Sequence, residues 1–353
     1  MKKRIMLILK LLLFGGVLFG GYIILSILYA LVTNYKPKTE TKAEVLNANN
    51  STILHKDTLT FYTWNIGYCG LGAESDFFYD GGKMVRSSRE LVNKNFSGVK
   101  ETILGWRNDA DFILLQEVDV DSRRSWGTNQ LEGIKNLLSF NAVFGKNYQV
   151  RYVPIPIFNP MGGVLGGIAT FSPYEMSTEP IRYQFPANFS FPKGLFFLDR
   201  CFTKQTYKLN NGKNLVVINT HNSAYDGSIL QKQEMAFFKD YILQEYKAGN
   251  YVVVGGDWNQ IPPGYTPKDK NSNYEEIEIP NQYLPSDWTW AYDKTTPTNR
   301  KVDAPFFQDE TYTTIIDFFL LSPNIKLTSV HGITDNFSYS DHQPVKMTIA
   351  LIK

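Results

Sequence analysis

The chain carries an ordered series of carboxylate, amide and imidazole side chains, each at or beside a short apolar run. Trp64-Asn65-Ile66-Gly67 closes the first such run, Leu114-Leu115-Gln116-Glu117 the second, and Asn219-Thr220-His221 a later one. Gly255-Gly256-Asp257-Trp258-Asn259 follows Tyr251-Val252-Val253-Val254, Asp317 lies inside an apolar strand-like run, and Ser340-Asp341-His342 precedes the last run. Such groups exchange protons and hold hard cations, and strand ends are where loops converge on a rigid platform. Each also has a plainer reading. A lone Asn or Asp after a strand is usually a turn residue bonded to its own backbone, and a lone Glu there is usually solvated. Asp317 differs, because a carboxylate buried in an apolar strand needs a partner, and a histidine is a good one. His55 and His331 lack such surroundings and read as structural or solvated.

The elements that must position these groups are legible as short apolar runs set between Gly, Pro and Asn clusters. The pattern predicts strands at Leu59–Ile66, Asp111–Leu115, Gly167–Phe171, Asn214–Asn219, Tyr251–Gly255, Thr314–Leu321 and Val345–Ile352. It predicts helices around Ser88–Asn108, Leu131–Ser139 and Ile229–Lys247. Strands that both alternate with helices and follow one another directly imply an α/β fold with mixed sheets, helices outside, and not a purely parallel doubly wound sheet.

Ahead of this domain, residues 1–10 form a basic segment and residues 11–33 are uncharged. As a helix those 23 residues reach roughly 34 Å, enough to cross a bilayer. A signal peptide normally has an apolar region of about 7–15 residues followed by a small-x-small cleavage site. This run is longer and Leu28-Tyr29-Ala30-Leu31-Val32 is a poor cleavage site, so an uncleaved single-pass transmembrane helix is expected. Lys2, Lys3 and Arg4 favour a cytoplasmic N-terminus and a domain outside the plasma membrane, against the pull of Lys36, Lys38 and Lys42. Residues 34–57 are polar and read as a flexible tether, leaving 58–353 as the folded domain.

The formal charge of +2 is unevenly spread: residues 1–56 hold eight Lys and Arg against two acids, and the remainder has 28 basic and 32 acidic residues. A protein whose main partner is a long polyanion usually has the opposite balance, so tight non-specific nucleic-acid binding gains no support. Bound divalent ions can supply positive charge locally, so a nuclease stays open. Cys69 and Cys201 make no disulfide framework or zinc motif and read as buried thiols.

Taken together and in order, Asn65, Gln116-Glu117, Asn219-Thr220-His221, Gly256-Asp257-Trp258-Asn259, Asp317 and Ser340-Asp341-His342 resemble the endonuclease/exonuclease/phosphatase superfamily. That group includes deoxyribonuclease I, exonuclease III, neutral sphingomyelinases and inositol polyphosphate 5-phosphatases. The resemblance implies a four-layer α/β sandwich, two mixed β-sheets face to face with helices outside. It also implies a metal-dependent phosphoric ester hydrolase. A phosphodiester gathers charge on its non-bridging oxygens in the transition state, so a hard cation and fixed donors are the main requirement. Mg²⁺, with Mn²⁺ as substitute, would be held by Glu117 with Asn65 beside it and Asp341 nearby. Asp257 would take a proton from the attacking water or hold it in line, and Asn259 would orient water or phosphate. His342, fixed by Asp317, would donate to the phosphate, and His221 would contact it from another side or assist the leaving oxygen.

Arg200 and Arg300 are weaker candidates for substrate phosphate, against the plain reading of salt-bridged or solvated arginines. Phe185–Phe197 is aromatic enough to touch lipid, although packing against the domain is the commoner use. The acidic, aromatic loop Ser75–Gly82 falls soon after Asn65 and is expected to border the site. The substrate expected is a phosphate ester, phospholipid-type or small, with the bilayer as a partner through the N-terminal helix. Nucleic acid, a phosphomonoester of the inositol-phosphate kind, and a non-catalytic receptor or adaptor role are the alternatives. No obligate protein partner is implied.

Overall fold

The computed structural model describes residues 2–47, 51–186, 189–224, 228–267 and 277–352. The first half runs α1 (Lys2–Thr33), β1 (Glu40–Lys42), β2 (Glu44–Leu46), β3 (Thr58–Asn65), α2 (Arg89–Trp106), β4 (Phe112–Asp119), α3 (Gln130–Leu138), β5 (Asn141–Val153) and β6 (Gly162–Ser172). The second runs β7 (Ile181–Gln184), β8 (Cys201–Lys208), β9 (Asn214–His221), α4 (Ser228–Lys247), β10 (Tyr251–Asp257) and β11 (Thr289–Ala291). It ends with β12 (Asn299–Arg300), β13 (Thr313–Thr314), β14 (Asp317–Leu321), β15 (Ile325–Gly332) and β16 (Val345–Leu351).

Two sheets of seven strands each carry the domain, in orders β1-β7-β8-β9-β10-β14-β11 and β15-β16-β3-β4-β6-β5-β2, with β12-β13 a small ribbon. Both are mixed: β9–β10 and β3–β4 pair parallel, whereas β10–β14 and β4–β6 pair antiparallel. Successive side chains on a strand face opposite ways, and β10 shows the consequence. Tyr251 and Val253 enter the core between the sheets with Phe61, Leu114, Phe319 and Met347. Val252 and Val254 face outward to Phe238 and Ile242 of α4. A strand covered on both faces reads as an unbroken apolar run, which is why it is legible in sequence. On the other side, Val99 and Ile103 of α2 and Ile134 of α3 cover Trp64 and Leu115. Ser88 caps α2, its hydroxyl accepting from the Leu91 N–H at 3.2 Å. The result is helices, sheet, sheet, helix: the four-layer α/β sandwich.

Three expectations change. Within the stretch read as a flexible tether, β1 pairs antiparallel with β7 and β2 with β5, so residues 40–46 are an edge strand in each sheet. The backbone supplies those bonds, so a polar sequence is no obstacle. The run read as one strand at Thr314–Leu321 is split into β13 and β14. Strands β5, β8 and β15 carry polar residues on their less buried side and were not legible as apolar runs. Cys69 and Cys201 are both buried and unpaired with each other. Among the described residues, α1 alone is long and apolar enough to cross a membrane, and only 6% of its most apolar window is buried.

Candidate active site

Register assembles the site. β9, β10 and β14 are neighbours, and Asp257 pairs with His221 on one side and with Asp317 on the other. Paired residues on adjacent strands share a face, so three strand ends present imidazole, carboxylate and carboxylate in one row. In the opposite sheet β3 and β4 place Asn65 beside Gln116. Asn65 Nδ2 donates to Asp257 Oδ2 at 2.9 Å and joins the two sheets at this end. Glu117 sits where β4 loses register with β6, between Leu115 and Val118. Its φ of +54° is left-handed, unusual for a residue with a Cβ. The bulge re-aims its carboxylate, and Oε1 lies 3.5 Å from Asn65 Nδ2 and 3.9 Å from His221 Nε2.

His342 Nδ1 and Asp317 Oδ2 are 2.7 Å apart, and the Asp317 N–H donates to Thr298 Oγ1 at 3.0 Å. His342 Nε2 lies 3.9 Å from Asp257 Oδ2, and the Asn299 amide lies 3.0 Å from the same ring nitrogen. His221 Nε2 is 3.4 Å from Asp257 Oδ2 and also contacts the Arg200 guanidinium. Asn259, with φ +50°, donates its backbone N–H to Asp257 Oδ1 at 2.8 Å and its amide to the Asn222 carbonyl at 2.8 Å.

Environment drives the two histidines apart. Burial lowers His221 well below 6.5, and the charges of Arg200 and His342 lower it further, so it is neutral. Burial opposes charge on His342 as well, but Asp317, Asp341 and Asp257 overcome it and raise it to about 10. Burial raises Asp317 to about 7 while His342 pulls it back, so the shared proton stays on the imidazole. The two imidazoles open into a cavity of about 170 Å³ that Arg124, Arg200, Tyr68 and Tyr148 also line.

Residues 62–342 match the profile of the Endonuclease/Exonuclease/phosphatase family. The chain belongs to that family. No curated protein matches the sequence. Among solved structures, an endonuclease/exonuclease/phosphatase from Beutenbergia cavernae is 18% identical, with a TM-score of 0.58 over 84% of this chain and 72% of that one. The human Nocturnin catalytic domain with bound sulfate is 16% identical, with a TM-score of 0.53 over 88% of this chain and 97% of that one. D. rerio TDP2 complexed with single-strand DNA product is 14% identical, with a TM-score of 0.50 over 83% of this chain and 99% of that one. At these identities the likeness is one of fold. Members of the endonuclease/exonuclease/phosphatase family are hydrolases acting on phosphoesters.

Within this family member, Asn65, Glu117, His221, Asp257, Asn259, Asp341, His342 and Arg200 all line or border one cavity, with Asp317 directly behind His342. Arg300 lines the same cavity, but its Nη groups are committed to backbone carbonyls. It is 1% exposed, and its Nη1 and Nη2 donate to the carbonyls of Leu71, Gly72, Ser75, Lys301 and Ala304. A planar fork with five N–H groups suits such a clamp, which ties the loop after β3 to β12. Its neighbour Asn299 is the residue that reaches His342, one position from where the sequence pointed. Arg124 was also missed. Its Nε and Nη2 donate to Asp119 at 3.1 and 2.9 Å, and its guanidinium stacks 3.8 Å from the Tyr68 ring centre. In sequence it is one of two arginines in a polar turn, with nothing to mark it as buried.

Two donor sets suggest a cation. Asp257, Asp317 and His342 each offer an atom within 4.8 Å of the others, but the short Asp317–His342 bond already occupies two of them. The carboxylates of Glu117 and Asp341 form the other set, oxygen donors of the kind that Mg²⁺ takes, with the Asn65 amide beside them, its nitrogen toward Glu117 and its oxygen accepting from the Gly67 N–H. Asp341 is raised to about 6 by burial, with the Glu117 charge adding to it, a repulsion that a divalent cation relieves. Gly67 leaves the space open: at its φ of +49° an added Cβ would stand 2.7 Å from Asp341 Oδ1 and 3.0 Å from Ser340 Oγ. These residues fit a hard divalent ion.

Proposed function

We propose that this protein is a membrane-anchored, divalent-metal-dependent phosphodiesterase whose catalytic domain works outside the cytoplasm at the plasma membrane. The observation that carries the reading is the row His221–Asp257–Asp317, extended by His342 and bridged to the Glu117 side by Asn65. Water attacks phosphorus opposite the departing ester oxygen; one P–O bond forms, one breaks, and the leaving alkoxide takes up a proton. Asp257 faces both histidines and is the group positioned to hold that water and accept its proton. The His342 imidazolium, held by Asp317, donates to a non-bridging oxygen, and Arg200 faces the same charge from the His221 side. Mg²⁺, or Mn²⁺ in its place, held by Glu117 and Asp341 with Asn65 beside them, would neutralise charge on the phosphate oxygens. α1, apolar and almost wholly unburied, supports the anchor, and the basic residues ahead of it support the orientation.

The test is hydrolysis of bis-p-nitrophenyl phosphate by the full chain in detergent. Turnover is expected with Mg²⁺ or Mn²⁺ and none with EDTA. Glu117→Gln and His342→Ala should each lose about 10²-fold or more; equal turnover by either refutes the assigned site. A nuclease is the second reading, favoured by the fold shared with TDP2, which was solved with a single-strand DNA product. Plasmid DNA, phospholipid and p-nitrophenyl phosphate assayed side by side separate nuclease, lipid diesterase and monoesterase, and an adaptor is inert on all three.

A further inference from the structure

The cavity does not end at the catalytic groups. Besides His342 and Asp257 it is lined by Phe78, Tyr79, Phe189, Phe197 and Ile155. Ile155 is both a wall residue and 44% exposed; Phe158, three residues on, is 101% exposed, and Phe191, two residues after the wall residue Phe189, is 70% exposed. Large apolar side chains held in water beside cavity-lining residues are costly and mark a surface that meets something apolar. Exposed Arg151 and Lys193 flank this rim, the arrangement of a segment that dips into lipid while its cations face headgroups.

What meets the rim is decided by the helix beside it. Tyr22 of α1 lies 3.0 Å from the Tyr152 hydroxyl and donates to the Pro154 carbonyl at 3.1 Å, immediately before Ile155. α1 also packs against the turn at Lys193–Leu195, two residues past Phe191. Ser26 and Ala30 are buried against the domain, whereas Ile5 to Leu18 presents apolar side chains to its surroundings on every side. α1 thus meets the domain from about Tyr22 onward, and the 152–154 segment and Ile155 lie beside the point where its free apolar part begins.

We propose that the 154–160 loop and Phe191 form a second membrane contact beside α1, and that the aromatic corridor behind them receives the acyl chains of a phosphodiester lipid from the same bilayer. This rests on the phosphodiesterase reading above and names its substrate class. With the lipid phosphate at His342, its chains leave along Phe78, Phe197 and Ile155 toward the hydrocarbon they came from. Water replaces one ester oxygen on phosphorus, giving a phosphomonoester and an alcohol.

Full-length protein in vesicles of phosphatidylcholine and phosphatidylglycerol tests this. Cys69 and Cys201 are both 0% exposed, so a Phe158→Cys variant takes a polarity-sensitive fluorophore at one place. Its emission should shift blue and be quenched by lipids brominated on their acyl chains; unquenched, water-like emission overturns the membrane contact. Turnover of vesicle lipid should exceed that of the deacylated glycerophosphodiesters by about tenfold or more, and Phe158→Ser with Phe191→Ser should lower it by about tenfold. The same double variant should keep bis-p-nitrophenyl phosphate turnover within about twofold, since neither side chain lines the cavity. Equal turnover of acylated and deacylated diesters overturns the corridor. An unsubstituted protein inert on bis-p-nitrophenyl phosphate would instead overturn the phosphodiesterase reading itself.

Discussion

His221 and His342 are one side chain in two protonation states, and the difference comes from their neighbours. Burial disfavours charge on both; at His221 the Arg200 guanidinium adds to it and the ring stays neutral, whereas at His342 Asp317, Asp341 and Asp257 overcome it and the ring stays charged. A raised imidazole value has a definite sign in pH dependence. The stability that His342 contributes is fully present below 6.5 and is lost as pH rises through about 10. Turnover that needs the imidazolium should fall over the same alkaline limb. Asp317→Asn removes the charge that holds the proton, so the limb should move to lower pH and neutral turnover should fall by about 10²-fold. A pH–rate profile of the variant checks this, and an unmoved limb would mean that another group titrates there. Asp317 was legible in sequence because a carboxylate in an apolar strand demands a partner. Asn299 and Arg124 were not, since amides and arginines are common in polar turns and only burial distinguishes these.

Strand register does at the level of elements what no single residue can. One step of slip in β10 would turn Asp257 to the other face of the sheet and separate it from both His221 and Asp317. The β4 bulge acts similarly on Glu117. Neither register nor bulge is written in an apolar run, because hydrophobicity marks a strand without fixing its partner. The two arginines divide at this scale. Arg300 holds the loop after β3 to β12, so Arg300→Ala should destabilise the fold by about 3 kcal/mol, and Arg300→Lys should not restore it. Arg200 abuts His221 at the cavity edge, so Arg200→Ala should lower turnover while the melting temperature holds. Thermal denaturation and turnover measured on the same preparations separate the two roles; a melting loss confined to Arg200→Ala would reverse the assignment.

At the scale of the molecule, residues 40–46 lend one edge strand to each sheet and staple the sandwich on one side. A chain beginning at residue 57 should therefore melt about 5 °C or more below one beginning at residue 40; equal melting would restore the flexible tether. Sequence by itself determined much here. The apolar runs, the chemistry at their ends, the order of those groups and the long apolar N-terminal segment are all local, and hydrophobic pattern is a local signal. Tertiary structure alone decided which groups meet: Asp257 with Asn65 across 192 positions, Arg300 with carbonyls more than 200 positions away, and α1 against the 152–154 segment. Such meetings depend on two sheets closing over one core. The free energy of that closure is spread over the whole buried surface, so no short stretch of sequence records it.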